Sequence, residues 1–261
     1  MQFEQIRSAT SIVTFGGVRF LIDPWLAPKD SFPPIPGSPN PDLRCPIHDL
    51  PKPVDELLQV DAVIATHLHF DHFDEAAMQQ IPHDITLFAQ DIYDADTLRR
   101  RGFRNVTVLT YAGIEWNGVT LHKTPCQHGQ ASNMWAIYER VQMRGEACGV
   151  IMQSPKEAKV LYLVGDSIWY PGVQATIDTY QPGVIVINAA GACVEGSGLI
   201  IMGLEDVQTV MNYAPKATVI ASHMDNVGHA TVWRSDLRKL RDEKGSGDRL
   251  LIPEDGEVCR L

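Results

Sequence analysis

The run Thr66-His67-Leu68-His69-Phe70-Asp71-His72 restricts this chain more than any other feature, because three imidazoles and a carboxylate directly follow the apolar stretch Asp61–Ala65. That stretch reads as a buried strand, and FDEAAMQQI behind the cluster reads as a short helix. The cluster therefore lies where the carboxyl end of a strand turns into a helix, a place where layered α/β proteins commonly hold ligands. Residues two apart in extended backbone point to one side, so His67 and His69 can reach a common point. Asp71 and His72 come just beyond, at the turn, and can serve a second point. Imidazole nitrogen and carboxylate oxygen are donors that zinc, manganese and iron accept.

Around this run, predicted strands and helices alternate. The first 23 residues read as strands, with a hairpin signal at Gly16-Gly17 inside SIVTFGGVRFLID. Strands are expected at VDAVIAT, ITLFA, NVTVLT, GVTLHKT, MWAIYER, KVLYLVGD, GVIVINAA and ATVIASH. Helices are expected at IYDADTLRRRG, GVQATIDTY, GLEDVQTVMNYA and TVWRSDLRKLRDE. Mixed strands with intervening helices indicate a layered α/β protein. Ten of the 17 prolines fall between Pro24 and Pro53. Proline lacks the backbone donor of a helix or central strand, so about 24–53 reads as one long ordered loop, either a lid over a site or a packed surface excursion. With no repeat and no visible linker, residues 1–261 read as a single domain.

Composition narrows the partners. Thirty-two acidic against 22 basic residues give a formal charge of -10, a field that repels nucleic-acid backbones and anionic membranes. A small substrate is the expected partner, with no nucleic acid and no membrane, and a homo-oligomer is compatible. The five cysteines, Cys45, Cys126, Cys148, Cys193 and Cys259, show no CxxC spacing, which fits a reducing, cytoplasmic setting. No signal peptide is visible in the opening residues.

Three further donors close or follow predicted strands: His128 in PCQHGQ, Asp166 at the end of LYLVGD and His223 at the end of VIASH. With the first run they form HxHxDH, a distant histidine, a strand-closing aspartate and a last histidine. This order resembles the metallo-β-lactamase superfamily, and the look is nearest to its L-ascorbate-6-phosphate lactonase-like branch. LIDP, ending in Asp23-Pro24, also resembles that family's early strand. The resemblance implies a four-layer αββα sandwich carrying two divalent metal ions, zinc first, with manganese or iron as alternatives. It implies one ion on His67, His69 and His128, a second on Asp71, His72 and His223, and Asp166 bridging both.

The chemistry implied is hydrolysis of a small-molecule ester, lactone, amide or phosphate ester by a metal-bridging hydroxide, since paired ions lower the pKa of a shared water toward about 7. Asp71 is expected to hold the nucleophile's proton, and Asp23 to orient a ligand imidazole. His229 is a candidate substrate contact or proton donor, against the alternative of a cap on the following helix. His48, His83 and His122 are expected to be structural, and Cys126 a small buried hydrophobe. Ser167 lacks a GxSxG elbow, and the Gly196 and Gly198 turn falls short of a phosphate loop. Trp25, Phe32 and Trp169 read as core or as a pocket wall. Two other functions share the same fold: a nucleic-acid-processing phosphodiesterase and a non-catalytic binding module. A two-iron redox role lacks its usual flavin-binding partner domain.

Overall fold

The computed structural model describes residues 1–130, 134, 136–139 and 143–261. Two seven-stranded sheets face one another. In the first sheet, β1 (Gln2–Arg7), β2 (Thr10–Phe15) and β3 (Val18–Ile22) form an antiparallel meander. From β3 the sheet continues in parallel through β4 (Ala62–Ala65), β5 (Thr86–Ala89) and β6 (Asn105–Val108). The second sheet begins with β7 (Ile114–Trp116), β8 (Val119–Pro125) and β9 (Cys148–Gln153), antiparallel neighbours that lead to β10 (Leu161–Leu163). Then β11 (Val184–Asn188), β14 (Thr218–Ser222) and β15 (Leu250–Leu251) extend it in parallel. Between β11 and β14 lies a small hairpin of β12 (Cys193–Val194) and β13 (Gly198–Leu199). The last strand, β16 (Val258–Arg260), returns to pair with β1.

Each parallel step is crossed by a helix, as parallel pairing requires. These are α1 (Val54–Leu57), α2 (Glu75–Gln80) and α3 (Ile92–Arg100) on the first sheet. On the second they are α4 (Pro171–Tyr180), α5 (Leu204–Tyr213) and α6 (Arg234–Glu243). Side-chain alternation sorts the apolar residues into three layers. In β4, Ala62 and Ile64 face the opposing sheet, while Val63 and Ala65 face the helices. In β11, Val184 and Val186 point between the sheets, while Ile185 and Ile187 meet Val173, Val207 and Leu237 of the outer helices. Strands buried on both faces are apolar throughout, which is why AVIA and VIVI carry no alternation of polarity. The architecture is the expected αββα sandwich.

Two boundaries follow from local chemistry. Asp91 accepts the Asp94 N–H at 2.9 Å and so starts α3. Gly102, at φ +101°, ends the turn behind it, where a Cβ would lie 2.7 Å from the His83 ring. The proline-rich stretch carries no helix or strand, only an isolated bridge between Phe32 and Cys45. Its start is pinned: the Arg7 guanidinium donates to the carbonyls of Trp25 and Ala27, and Asp74 accepts the N–H groups of Leu26 and Ala27.

MWAIYER is not a strand. Met134 and residues 136–139 are helical, and Trp135 and Arg140 lie outside the described residues. Met134, Ile137 and Tyr138 fall at helical spacing and cover a cavity, a period that a short apolar run does not distinguish from a strand's. The apolar run Cys148–Gln153, unassigned in the sequence, is a buried central strand. Among the described residues, no helix is long and apolar enough to cross a membrane.

Candidate metal centre

The cluster forms because four chain segments end at one rim. The His67–His72 loop leaves the carboxyl end of β4, Asp166 follows β10 and His223 follows β14. Since β8 and β10 both run antiparallel to β9, β8 points the same way as β10 and delivers His128 to the same rim. Donor atoms meet in three groups: His67, His69 and His128; His67, His72 and Asp166; and Asp71, His72 and His223. Within each group the atoms lie within 4.8 Å of one another, and every residue is buried. All seven residues singled out by the sequence motif are thus brought together.

Each imidazole is oriented by a partner outside the cluster. The Thr66 hydroxyl donates to Asp23 Oδ2 at 2.7 Å, so it accepts the Nδ1–H of His67 at 3.1 Å. His69 donates Nε2–H to the Arg144 carbonyl at 2.5 Å, and His128 donates Nδ1–H to the Ile200 carbonyl at 2.8 Å. His72 Nδ1 is 2.9 Å from Asp23 Oδ2, and His223 Nδ1 pairs with the Ser8 hydroxyl at 3.2 Å. The second nitrogen of every ring is left facing the cluster, the arrangement that outer partners impose on metal-binding histidines. Asp166 is divided likewise: Oδ1 accepts from Asn188 at 2.6 Å, and Oδ2 lies 3.2 Å from His72 Nε2 and 3.5 Å from His128 Nε2. Asp23 and His223 both adopt positive φ, 44° and 63°. Such backbone is uncommon outside glycine and costs free energy that the surrounding contacts must offset.

The electrostatics show what kind of group the cluster fits. His67 Nε2 is buried without any hydrogen-bond partner. His72 Nε2 faces His223 Nε2 at 3.2 Å, with Asp166 Oδ2 equally close. Acceptor atoms aimed at each other need a proton or a cation between them. Burial opposes a charge on His72, but the Asp166 and Asp23 carboxylates outweigh it and hold that ring well above its ordinary pKa. Burial drives His67 well below the usual range and His69 down to about 4. Burial would raise Asp71 and Asp166, yet the adjacent imidazoles overcome it and keep both carboxyls ionised far below their ordinary values. A nitrogen-rich set with ionised carboxylates and an orphaned Nε2 fits divalent cations.

Beside the donors opens a cavity of about 360 Å³. Ile35, Phe70, Met134, Ile137, Met143, Val194 and Ile200 make its wall apolar, and Asp71, Asp166, Glu195, Tyr138, His69, His128 and His229 bring polar atoms to it. The proline-rich segment contributes Ile35, Pro36 and Gly37. Gly37 is held to the β12–β13 hairpin by the Glu195 N–H at 2.8 Å. The segment is therefore a wall of the site as well as a packed excursion.

The family profile described as Beta-lactamase superfamily domain matches residues 18–224. The chain belongs to the metallo-β-lactamase superfamily of hydrolases. Within the superfamily it is 40% identical over 258 residues to the UPF0173 protein YddR of Bacillus subtilis, covering 98% of each chain. Among solved superfamily structures it is similar to an isothiocyanate hydrolase from Delia radicum gut bacteria, with 39% identity and a TM-score of 0.94 over 100% of this chain and 99% of that one. A possible metal-dependent hydrolase from Veillonella parvula matches with 37% identity and a TM-score of 0.95, covering 100% and 99%. These relatives do not carry the lactonase name that the motif suggested.

The remaining residues sort cleanly on the superfamily frame. His229 reaches the cavity, with Nδ1 buried and unpartnered. His48, His83 and His122 join none of the donor groups. Cys126 Sγ donates to the Val164 carbonyl. The Ser167 hydroxyl accepts from the Gln127 N–H at 3.0 Å, linking the His128 and Asp166 turns. Trp25 is fully buried and meets Phe32 and Phe70 ring to ring, so it is core that backs the cavity wall. Trp169 packs on Tyr213. The sequence reading missed Ser8, Asn188, Arg144 and Glu195. Asn188 alone carried a signal, as a polar residue closing the apolar run VIVI.

Proposed function

We propose that this superfamily hydrolase uses two divalent ions, zinc first, on a small neutral molecule with an electrophilic carbon, an isothiocyanate foremost. The first ion is assigned to His67, His69 and His128, the second to Asp71, His72 and His223, with Asp166 between them. The observation that carries this reading is the set of five imidazoles whose outer nitrogens are all engaged and whose inner nitrogens converge. When bound, the ions supply a water of lowered pKa and positive charge for the developing anion.

The chain's own residues supply the rest. The apolar wall admits an uncharged group and excludes bulk water. Asp71, ionised and facing the cavity, holds the nucleophile's proton by accepting a hydrogen bond from it. Burial lowers His229 to about 4, so its neutral ring serves as a contact to the substrate heteroatom rather than as a cationic acid. The similarity to an isothiocyanate hydrolase over the whole chain supports that substrate class. So does the lining: its ionisable groups are three carboxylates, three histidines and the Tyr138 phenol, with no lysine or arginine among the described residues, which disfavours a phosphate ester. The whole chain acts as one domain, and its five free cysteines support a reducing, cytoplasmic setting.

The test is metal analysis of protein purified without chelators, paired with turnover of benzyl isothiocyanate, a lactone, a thioester and a phosphodiester. About two metal equivalents per chain and chelator-sensitive release of benzylamine are expected. Turnover of the phosphodiester alone, or a metal-free protein of full activity, overturns the proposal.

A further inference from the structure

Arg144 lies on the segment that runs into β9, and its guanidinium is fixed from several directions. Nη1 and Nη2 donate to the two oxygens of Asp91 at 3.3 and 2.8 Å, and Nη1 also donates to Asp94 Oδ1 at 2.9 Å. Nε sits 3.2 Å from Glu146 Oε2, and the guanidinium carbon lies 4.3 Å from the Tyr93 ring centroid. Paired hydrogen bonds to one carboxylate fix orientation as well as distance. Two residues further on, the Glu146 carbonyl accepts from Gln90 Nε2 at 2.8 Å, and that same amide donates to Asp94. The backbone from 144 to 146 is thereby held against the start of α3 at both ends.

This pinning has one outlet toward the cluster. The Arg144 carbonyl is the acceptor of His69 Nε2–H at 2.5 Å. A histidine that donates from Nε2 keeps its lone pair on Nδ1, the only ring nitrogen then free to face His67 and His128. The Arg144 side chain is 30% exposed, and besides setting that backbone it neutralises the buried Asp94 carboxylate.

We propose that Arg144 is a positioning residue, whose side-chain clamp on the start of α3 fixes its own carbonyl against His69 and so aims His69 Nδ1 into the metal centre. The proposal rests on the reading of the cluster as a metal centre. Outer partners of this kind change metal affinity by about 10- to 100-fold when removed.

Two variants test it. Arg144→Ala combined with Asp94→Asn removes the clamp without leaving the buried carboxylate charged and unpaired. Asp91→Asn weakens the fork while keeping a residue able to cap α3. Zinc affinity is measured by chelator competition, and the His69 tautomer by nitrogen NMR of the zinc-free protein. The wild type is expected to show the Nε2–H form. The double variant is expected to lose that single tautomer and bind zinc about 10- to 100-fold more weakly, with Asp91→Asn affected in the same direction but less. Unchanged affinity and tautomer in folded variants, or a lower melting temperature alone, overturns the proposal. If the double variant does not fold, Asp91→Asn decides. A wild type that takes up no zinc defeats the metal-centre reading instead, while the tautomer measurement still decides the role of Arg144.

Discussion

At the scale of single residues, the cluster separates groups that hold from groups that react. Asp71 does both in the proposed mechanism: it lies 3.4 Å from His223 Nε2 and faces the cavity. Asp71→Asn keeps an oxygen donor but loses the anionic carboxylate that orients the nucleophile. It is expected to retain most of its metal and lose on the order of 100-fold in kcat, the scale of a misplaced reacting group. Metal analysis alongside steady-state kinetics checks both parts, and full activity at full metal content removes Asp71 from the chemistry. His229 is expected to act on binding. His229→Ala should raise KM by about tenfold, the worth of one neutral hydrogen bond, with kcat and metal content nearly unchanged. A fall in kcat at constant KM assigns it to the proton transfer instead. The seven donors were legible in the sequence because each is a side chain in a recognisable position. Ile200 and Arg144 were not, because they act through carbonyl oxygens, which every residue possesses. Ser8 is also invisible in one dimension: it pairs with a histidine 215 positions away.

At the scale of elements, the short turn after the first motif joins three structures. Asp74 starts α2 by accepting the Ala77 N–H at 2.7 Å, and the same carboxylate receives Leu26 and Ala27 from the proline-rich segment. Asp74→Ala strands buried N–H groups and removes a helix cap, so it is expected to lower stability by about 3 kcal/mol. Denaturant unfolding measures that loss. Asp74→Asn, which keeps an acceptor oxygen, is expected to recover part of it. The strands of the parallel runs were readable because burial on both faces makes them apolar without interruption. The helix at Met134 and Ile137 was misread because so short an apolar run fits either period. The long proline segment was recognised as ordered backbone without helix or strand. Its dual role as packing and cavity wall depended on Gly37 meeting Glu195, a contact with no sequence signature.

Across the whole molecule, acidity should unsettle the metal-free protein before the Asp71 and Asp166 carboxylates titrate. His69 and His229 are held near 4 by burial, whereas unfolded histidine titrates near about 6.5. Below about 6.5 the unfolded chain binds protons that the folded chain refuses, so stability falls as the pH drops toward about 4. His72 does not counter this fall. Its raised pKa gives a contribution already complete below about 6.5 and lost only as the pH rises through the folded value. Asp71 and Asp166, depressed when folded, withdraw their contribution only at still lower pH. The loss between about 6.5 and 4 is expected to be on the order of 3 kcal/mol per buried histidine before coupling between them. Urea midpoints of the chelated protein at several pH values measure it, and midpoints that stay flat over this window show that the rings charge freely.

The donors come from both sheets: His67 to His72 from the first, His128, Asp166 and His223 from the second. Cations seated among them would fasten the two leaves along one margin, like a clasp on a closed book. Among the described residues, the peptide itself contributes two fastenings of that kind at this margin: the Ser8–Met224 bridge with its His223 N–H to Ser8 carbonyl bond, and the Cys148 N–H to the Thr66 carbonyl at 3.1 Å. A chelator would therefore do more than switch off the chemistry, since it would also let the open margin of the book part first, leaving the apolar spine between the leaves to hold the rest.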